Sequence, residues 1–86
     1  MAHDDDIVHL NGRELPRAQA CLSVEDRGAL FADGVYEVVR YYGGRPFELD
    51  RHLARLRRSL AGLRLPEPAG VGELGRISDR LIERNH

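Results

Sequence analysis

Residues 26–40 read D-R-G-A-L-F-A-D-G-V-Y-E-V-V-R, and this stretch determines how the rest of the chain is interpreted. Its first part, residues 26–34, has two glycines, two aspartates and no hydrophobic period, which predicts a structured loop. Gly28 and Gly34 would permit positive φ or a close backbone approach. The second part, residues 35–42, is rich in valine and tyrosine and predicts a β-strand. A loop that leads into a stiff strand is suited to aiming one side chain into a site.

Alternate residues of the predicted strand divide between two faces. One face carries Val35, Glu37, Val39 and Tyr41, and the other carries Tyr36, Val38, Arg40 and Tyr42. Neither face is purely apolar. This composition favours a sheet with a helical layer on one side and a wet cleft on the other.

Turn signals on either side predict further short strands. Asn11-Gly12 predicts a tight hairpin between residues 7–10 and 13–15. Apolar and polar residues alternate over residues 17–24, which predicts a half-buried strand or extended segment. Gly43-Gly44 predicts a second hairpin, with a return strand that runs to Leu49.

Two amphipathic helices are predicted after the strands. Asp50 is expected to cap the first, which runs to about Arg64, and the second spans about Gly72 to Arg84. The apolar stripes consist of Leu49, Leu53, Leu56, Leu60 and Leu63 in the first helix and Val71, Leu74, Ile77 and Leu81 in the second. We therefore predict an α+β fold, a two-layer sandwich in which an antiparallel sheet of short strands packs against two amphipathic helices.

Length and composition narrow the possible functions. At 86 residues the chain is one small domain, with residues 1–6 as a flexible tail and residues 7–86 as the folded part. His3 and its neighbouring aspartates are expected to be a solvated terminus rather than a metal site. A net charge of −1 gives no reason to expect nucleic-acid binding, and no apolar run approaches membrane-spanning length. With Cys21 as its single cysteine, we expect a soluble, cytoplasmic protein.

The same stretch carries a family resemblance. D-R-G-x-x-x-x-D-G-V-Y-E-V-V-R, followed by the Gly43-Gly44 turn and H-L-x-R-L at residues 52–56, resembles the N-terminal domain of class IV (fold type IV) pyridoxal-phosphate enzymes. These are the D-amino-acid aminotransferases, branched-chain aminotransferases and aminodeoxychorismate lyases. The run at residues 35–39 is most similar to the D-amino-acid branch. One departure is Ala32, where the family usually places glycine, which leaves the backbone angles of the loop open.

The resemblance implies roles for three residues. In H-L-x-R-L the arginine of the family binds the phosphate of pyridoxal phosphate, and that residue here is Arg55. A guanidinium suits this role because it is always charged and donates two parallel hydrogen bonds. Tyr36 would lie on the substrate side of the cofactor, and Val38 would line that pocket. Without the resemblance, Arg55 would be interpreted as a solvated arginine and Tyr36 as a packing residue.

The chain lacks one residue that the resemblance requires. Pyridoxal phosphate forms a Schiff base with a protein amine, and all 13 Lys+Arg residues of this sequence are arginines. We therefore expect no catalytic residue in this chain, no metal site, and little or no cofactor bound to it alone. The lysine-bearing C-terminal domain of the family is absent from these residues.

The functional hypothesis is an N-terminal part of a pyridoxal-phosphate-dependent aminotransferase. It would contribute residues that bind the cofactor phosphate and residues of the substrate pocket to a homodimer that acts on amino acids and 2-oxo acids. The alternatives are part of an aminodeoxychorismate lyase, or an interaction module that does not bind cofactor. Alone, the domain is expected to expose apolar surface and to self-associate.

Overall fold

A computed structural model describes residues 3–68 and 70–85 and shows a small α+β domain, as predicted. Its elements are β1 (Ile7–Leu10), β2 (Arg13–Pro16), α1 (Arg27–Phe31), β3 (Tyr41–Tyr42), β4 (Arg45–Pro46), α2 (Leu49–Gly62) and α3 (Leu74–Asn85). Short 3-10 turns occupy Arg17–Gln19 and Val71–Glu73. The strands form two separate antiparallel pairs, β1 with β2 and β3 with β4, rather than one sheet. In the described residues no helix is long and apolar enough to cross a membrane.

Both predicted hairpin turns are confirmed. Asn11 and Gly12 have φ of 51° and 83°, and they connect Leu10 to its partner Arg13. Gly43 and Gly44 have φ of 55° and 79° and connect β3 to β4. Two consecutive positive φ values give a turn whose twist matches that of the flanking strands, which explains why glycine and asparagine occupy these positions.

Helix α3 packs on the first hairpin, and its last residue, Asn85, contacts the first residue of β1, Ile7. The Asn85 side chain accepts a hydrogen bond from the backbone N–H of Ile7 at 2.6 Å and donates one to the carbonyl of Ile7 at 2.8 Å. The amide of Asn85 thus acts as a strand partner for the edge of β1. On β2, the Glu14 carboxylate accepts hydrogen bonds from Arg80 and from Arg84, the latter at 2.7 Å. Polar contacts therefore supplement a small core.

The core is centred on the predicted leucine and valine stripes. Leu60 in α2 and Val71 before α3 are the two buried hydrophobic residues in the part of the chain that the structure describes, at 6% and 3% exposure. Most other stripe residues are half-buried, but Leu63 is 50% exposed and lies outside the core. A core of this size is consistent with the marginal burial expected of a short domain.

The loop predicted at residues 26–34 contains a helix, so this part of the prediction is wrong. The Asp26 carboxylate accepts a hydrogen bond from the N–H of Ala29 at 3.2 Å and caps α1 at its N-terminus. Ala32 ends the helix in the left-handed conformation, with φ of 58°. One short turn of helix has too few apolar positions to show a period in the sequence, which explains the error.

The residue of this loop that adopts a positive φ is Ala32 rather than Gly28 or Gly34. Gly28 allows a close approach, since a Cβ there would lie 3.0 Å from the Asp26 carboxylate. Gly34 has neither a positive φ nor a close neighbour. Ala32 therefore adopts, with a side chain, a conformation for which glycine is better suited.

Two further predictions are wrong. Residues 17–24 form a 3-10 turn and an irregular, mostly exposed segment, because no strand within residues 3–68 and 70–85 pairs with them. Leu22 and Val24 are 63% and 85% exposed, although the alternation had placed them on an inward face. Asp50 does not cap α2: the helix begins at Leu49, and Glu48 precedes it in the left-handed conformation without a side-chain cap. Asp50 instead places its charge in the first turn, where the helix dipole favours it.

The predicted tail begins with Met1 and Ala2, which lie outside the described residues. From His3 to Asp6 the chain forms a turn, and its carbonyls accept hydrogen bonds from the backbone N–H groups of Arg17 and Ala18. The flexibility of residues 1–6 stays a prediction.

The strand predicted at residues 35–42 is only partly formed. Its last two residues pair with β4, whereas residues 32–40 have no regular structure because no strand lies beside them in the described chain. The predicted two-face pattern is nevertheless confirmed. Val35, Glu37, Val39 and Tyr41 are half-buried, whereas Tyr36, Val38, Arg40 and Tyr42 are exposed.

Candidate functional site

The candidate site lies along α2, where the helix passes the inward face of residues 35–39. A groove of about 500 Å³ runs along this part of the helix. Its lining residues are Phe47, Glu48, Arg51, His52, Ala54, Arg55 and Arg58. Most of these positions recur every three or four residues, so they share one side of the helix. The groove is therefore rich in guanidinium groups.

Glu37 connects the extended segment to this groove through two side chains of α2. Its Oε2 accepts a hydrogen bond from Nε of Arg55 at 2.8 Å, and its Oε1 accepts one from Nη2 of Arg55 at 2.8 Å. Oε1 also lies 2.7 Å from Nδ1 of His52. Only 11% of the Glu37 side chain is exposed, compared with 60% of that of Arg55. A nearly buried carboxylate thus holds an exposed arginine by a bidentate contact.

The charge state of the cluster follows from these contacts. The hydrogen bonds from Arg55, and then that from His52, lower the pKa of Glu37 from 4.5 to about 2. The same contact with Glu37 raises the pKa of Arg55 above its usual value. At neutral pH Glu37 is therefore ionised and can only accept hydrogen bonds, so Nδ1 of His52 must carry the hydrogen. Nη2 of Arg55, 3.5 Å from Nδ1, thus has no acceptor in His52.

Arg55 retains donors for a further partner. A guanidinium has five N–H groups, and Glu37 accepts from two of them, on the edge formed by Nε and Nη2. The terminal edge is formed by Nη1 and the second hydrogen of Nη2, and in the described residues no acceptor contacts either of them. This edge has the paired geometry that binds an oxyanion.

Tyr36 and Val38 lie away from this groove. Their exposures are 83% and 73%, and neither residue lines the groove. Because side chains alternate along an extended segment, both point to the side opposite Glu37. The structure therefore brings Arg55 to Glu37 and His52, and does not bring it into one groove with Tyr36 and Val38. The binding roles assigned to these three residues remain predictions.

Sequence reasoning placed Glu37 on one face with Val35, Val39 and Tyr41 but gave it no role. The signal was present, because the neighbours of Glu37 on that face are Val35 and Val39. A carboxylate on a half-buried apolar face requires a partner. His52 and Arg55 lie three residues apart on the next helix and are the partners that the structure provides.

Comparison with known proteins identifies the family. The family model of amino-transferase class IV matches residues 34–86, which is more than half of the chain. The chain belongs to the class IV aminotransferase family. The match begins at Gly34 and includes Glu37, His52 and Arg55. The contacts of Glu37 with His52 and Arg55 therefore lie within the matched part of the sequence.

Individual class IV relatives agree with this assignment. The chain is 41% identical over 78 residues to a D-alanine aminotransferase of Bacillus licheniformis, which covers 91% of this chain and 28% of that protein. It is 42% identical over 79 residues to a D-alanine aminotransferase of Listeria innocua, covering 92% and 27%. An aminodeoxychorismate lyase of Bacillus subtilis is 37% identical over 79 residues, with the same coverage. The chain thus spans little more than a quarter of the length of these relatives.

Proposed function

We propose that this chain is the N-terminal domain of a pyridoxal-phosphate-dependent aminotransferase, most similar to D-amino-acid aminotransferases. In this proposal Arg55 binds the cofactor phosphate, and Tyr36 and Val38 form part of the substrate pocket. The observation that carries the proposal is the free terminal edge of the Arg55 guanidinium, fixed in position beside a groove. Family membership and the D-alanine aminotransferase relatives supply the reaction class.

The residues of the groove fit a phosphate group. Arg51, Arg55 and Arg58 all line it, and the ordinary ligands of a phosphate monoester are guanidinium donors of this kind. Phe47 adds an apolar surface at one side. Arg55 would thus hold the phosphate by paired hydrogen bonds, while the other two arginines raise the local positive potential.

Tyr36 and Val38 support the proposal through their position next to Glu37 in the chain. Each is directly bonded to Glu37, the residue that holds Arg55, so the support of the phosphate-binding arginine and the proposed pocket wall are consecutive in sequence. Their exposed side chains are available to a substrate, with the Tyr36 hydroxyl as a hydrogen-bond partner and Val38 as an apolar surface.

This chain contributes binding groups rather than the group that moves protons. When bound, pyridoxal phosphate serves as an electron sink for bonds broken at the substrate α-carbon. The proton transfer needs an amine near its working pKa, and arginine remains protonated. Because the sequence contains no lysine, we place the base in another part of the parent enzyme.

We further propose that the parent is a cytoplasmic homodimer that acts on amino acids and 2-oxo acids. The large exposed apolar side chains support an assembly, because a monomer rarely leaves this many uncovered. Between residues 22 and 42 they are Leu22, Val24, Leu30, Phe31, Tyr36, Val38 and Tyr42. Aminodeoxychorismate lyase is the second candidate, and the Bacillus subtilis relative favours it.

A ligand titration of the chain tests the phosphate assignment. Pyridoxamine 5'-phosphate and pyridoxamine differ only by the phosphate, and neither carries an aldehyde that would react with the terminal amine. Backbone NMR shifts of the ¹⁵N-labelled chain are followed with each ligand. We expect weak binding of the phosphorylated ligand only, with a Kd of about 1 mM or weaker, since one guanidinium contact falls well short of micromolar affinity.

The matched control is a second arginine of α2. Arg57 pairs with Glu67 at 3.0 Å and does not line the groove. Arg55→Ala should weaken binding roughly tenfold or more, whereas Arg57→Ala should leave it unchanged. Equal losses in the two variants would refute the assignment of Arg55.

Sequencing of the reading frame beyond codon 86 separates the two classes of function, since a lysine-bearing continuation supports the enzyme and a stop codon supports an interaction module.

A further inference from the structure

The contact between Glu37 and Arg55 indicates a role for a residue that binds no ligand itself. Both carboxylate oxygens of Glu37 are used, each at 2.8 Å, and both accept from the side edge of the guanidinium. A side-on pair of this kind fixes the plane of the guanidinium as well as its position. An unpaired arginine on a helix surface would sample many rotamers instead.

We propose that Glu37 is the positioning residue for Arg55. It holds the edge formed by Nε and Nη2, and thereby presents the edge formed by Nη1 and Nη2 to the phosphate of the ligand. This inference rests on the proposed function, in which Arg55 binds a phosphate monoester. The Glu37 carboxylate and the phosphate can bind the guanidinium at the same time. The two edges share only Nη2, and Nη2 has two hydrogens to donate.

His52 makes Glu37 a fixed support. Its Nδ1 lies 2.7 Å from the same Oε1 that accepts from Arg55, so the carboxylate is held from two positions on one helix. The backbone around Glu37 is in turn anchored by the inward-facing Val35 and Val39. The side chain that orients Arg55 therefore has little freedom of its own.

The negative charge of Glu37 does not cancel the attraction of the groove for anions. Three arginines line or border it, Arg51, Arg55 and Arg58, against the two carboxylates of Glu37 and Glu48. Arg51 lies 3.3 Å from Glu48, a long and exposed contact that contributes little. Arg58 forms no ion pair with the described residues. The excess of guanidinium groups leaves the groove positive while Glu37 is ionised.

The test compares two glutamates in similar surroundings. Glu37→Gln removes the carboxylate charge that contacts Arg55. Glu14→Gln removes the carboxylate charge on β2 that contacts Arg80 and Arg84 of α3. With pyridoxamine 5'-phosphate as the probe, we expect Glu37→Gln to weaken phosphate-dependent binding about fivefold or more, because one oriented charge-assisted contact is lost. Glu14→Gln should stay within about twofold of the unmodified chain, since it acts at a separate site.

A second measurement on the unmodified chain does not depend on the variant folding. The side-chain Nε–H signal of Arg55 should be observable without ligand and should not move on titration, while the Nη signals shift. A shift of the Nε–H signal on addition of ligand would show that the phosphate replaces Glu37 at this edge, and it would overturn the inference. Binding by Glu37→Gln as tight as that of the unmodified chain would overturn it too. If the unmodified chain shows no phosphate-dependent response, the proposed phosphate role fails, and the inference fails with it.

Discussion

Ala32 is a residue whose replacement should stabilise the domain. It ends α1 with φ of 58°, in the left-handed region, and its N–H donates a hydrogen bond to the carbonyl of Gly28 at 3.1 Å. Because that bond belongs to the backbone, Ala32→Gly preserves it. The substitution removes only a methyl group that crowds the following carbonyl in this conformation.

The expected gain is the difference between two terms. A non-glycine residue in the left-handed region costs about 1–2 kcal/mol relative to the right-handed form. Glycine adds freedom to the unfolded chain, which offsets about 0.4–1 kcal/mol of that gain. The two ranges give a rise in the free energy of unfolding of about 0–1.6 kcal/mol, centred near about 0.8 kcal/mol, and at that central value the Tm of a domain of this size rises by about 3–6 °C.

Thermal unfolding followed by circular dichroism measures this gain, with Ala29→Gly as the matched control. Ala29 lies within α1 and is exposed like Ala32, but it has helical geometry. The same change there should lower the free energy of unfolding by about 0.5–1 kcal/mol. The two variants are therefore expected to shift Tm in opposite directions.

A lower Tm for Ala32→Gly would show that residue 32 does not adopt the left-handed conformation. If neither substitution changed Tm, α1 would unfold independently of the core, and the reasoning that links the loop to domain stability would be refuted.

Three further predictions concern stability. Because the pKa of Glu37 is about 2 in the folded chain and 4.5 ordinarily, its contribution is complete above about pH 4.5 and is lost as the pH falls towards 2. The Tm difference between the unmodified chain and Glu37→Gln should therefore narrow over that range in a pH series, and a constant difference would contradict the ion pair. Asn85→Ala leaves the N–H and carbonyl of Ile7 without partners and should cost about 2–3 kcal/mol in urea unfolding, whereas a loss below about 0.5 kcal/mol would show that water replaces the amide. Leu60→Ala, at one of the two buried positions, should cost about 2–4 kcal/mol in the same assay, and a smaller loss would show that the site collapses around the cavity.

Features encoded locally were predictable from the sequence. Asn11-Gly12 and Gly43-Gly44 determine their turns through backbone geometry, so both hairpins were found. The leucines of α2 repeat at helical spacing, which located the helix to within two residues at each end.

Features that depend on distant partners were not predictable. Residues 17–24 alternate like a strand but pair with no strand in the part of the chain that the structure describes, and the pattern alone does not report whether a partner exists. The bidentate contact between Glu37 and Arg55 joins residues 18 positions apart, and the sequence shows only that Glu37 lies among valines. Tyr36 and Val38 were predicted to share one face of the segment, and both are exposed there. Their place in a pocket stays a prediction, because their relation to the groove depends on how the segment crosses α2.

The amide of Asn85 has a topological consequence. Since it binds the N–H and the carbonyl of Ile7, it holds together two residues that lie 78 positions apart in the sequence. A short glycine linker could close the chain into a ring there, and a new opening could be cut at the exposed turn at residues 63–64. A circularly permuted chain of this kind should fold to the same structure, with its ends moved to the far end of α2.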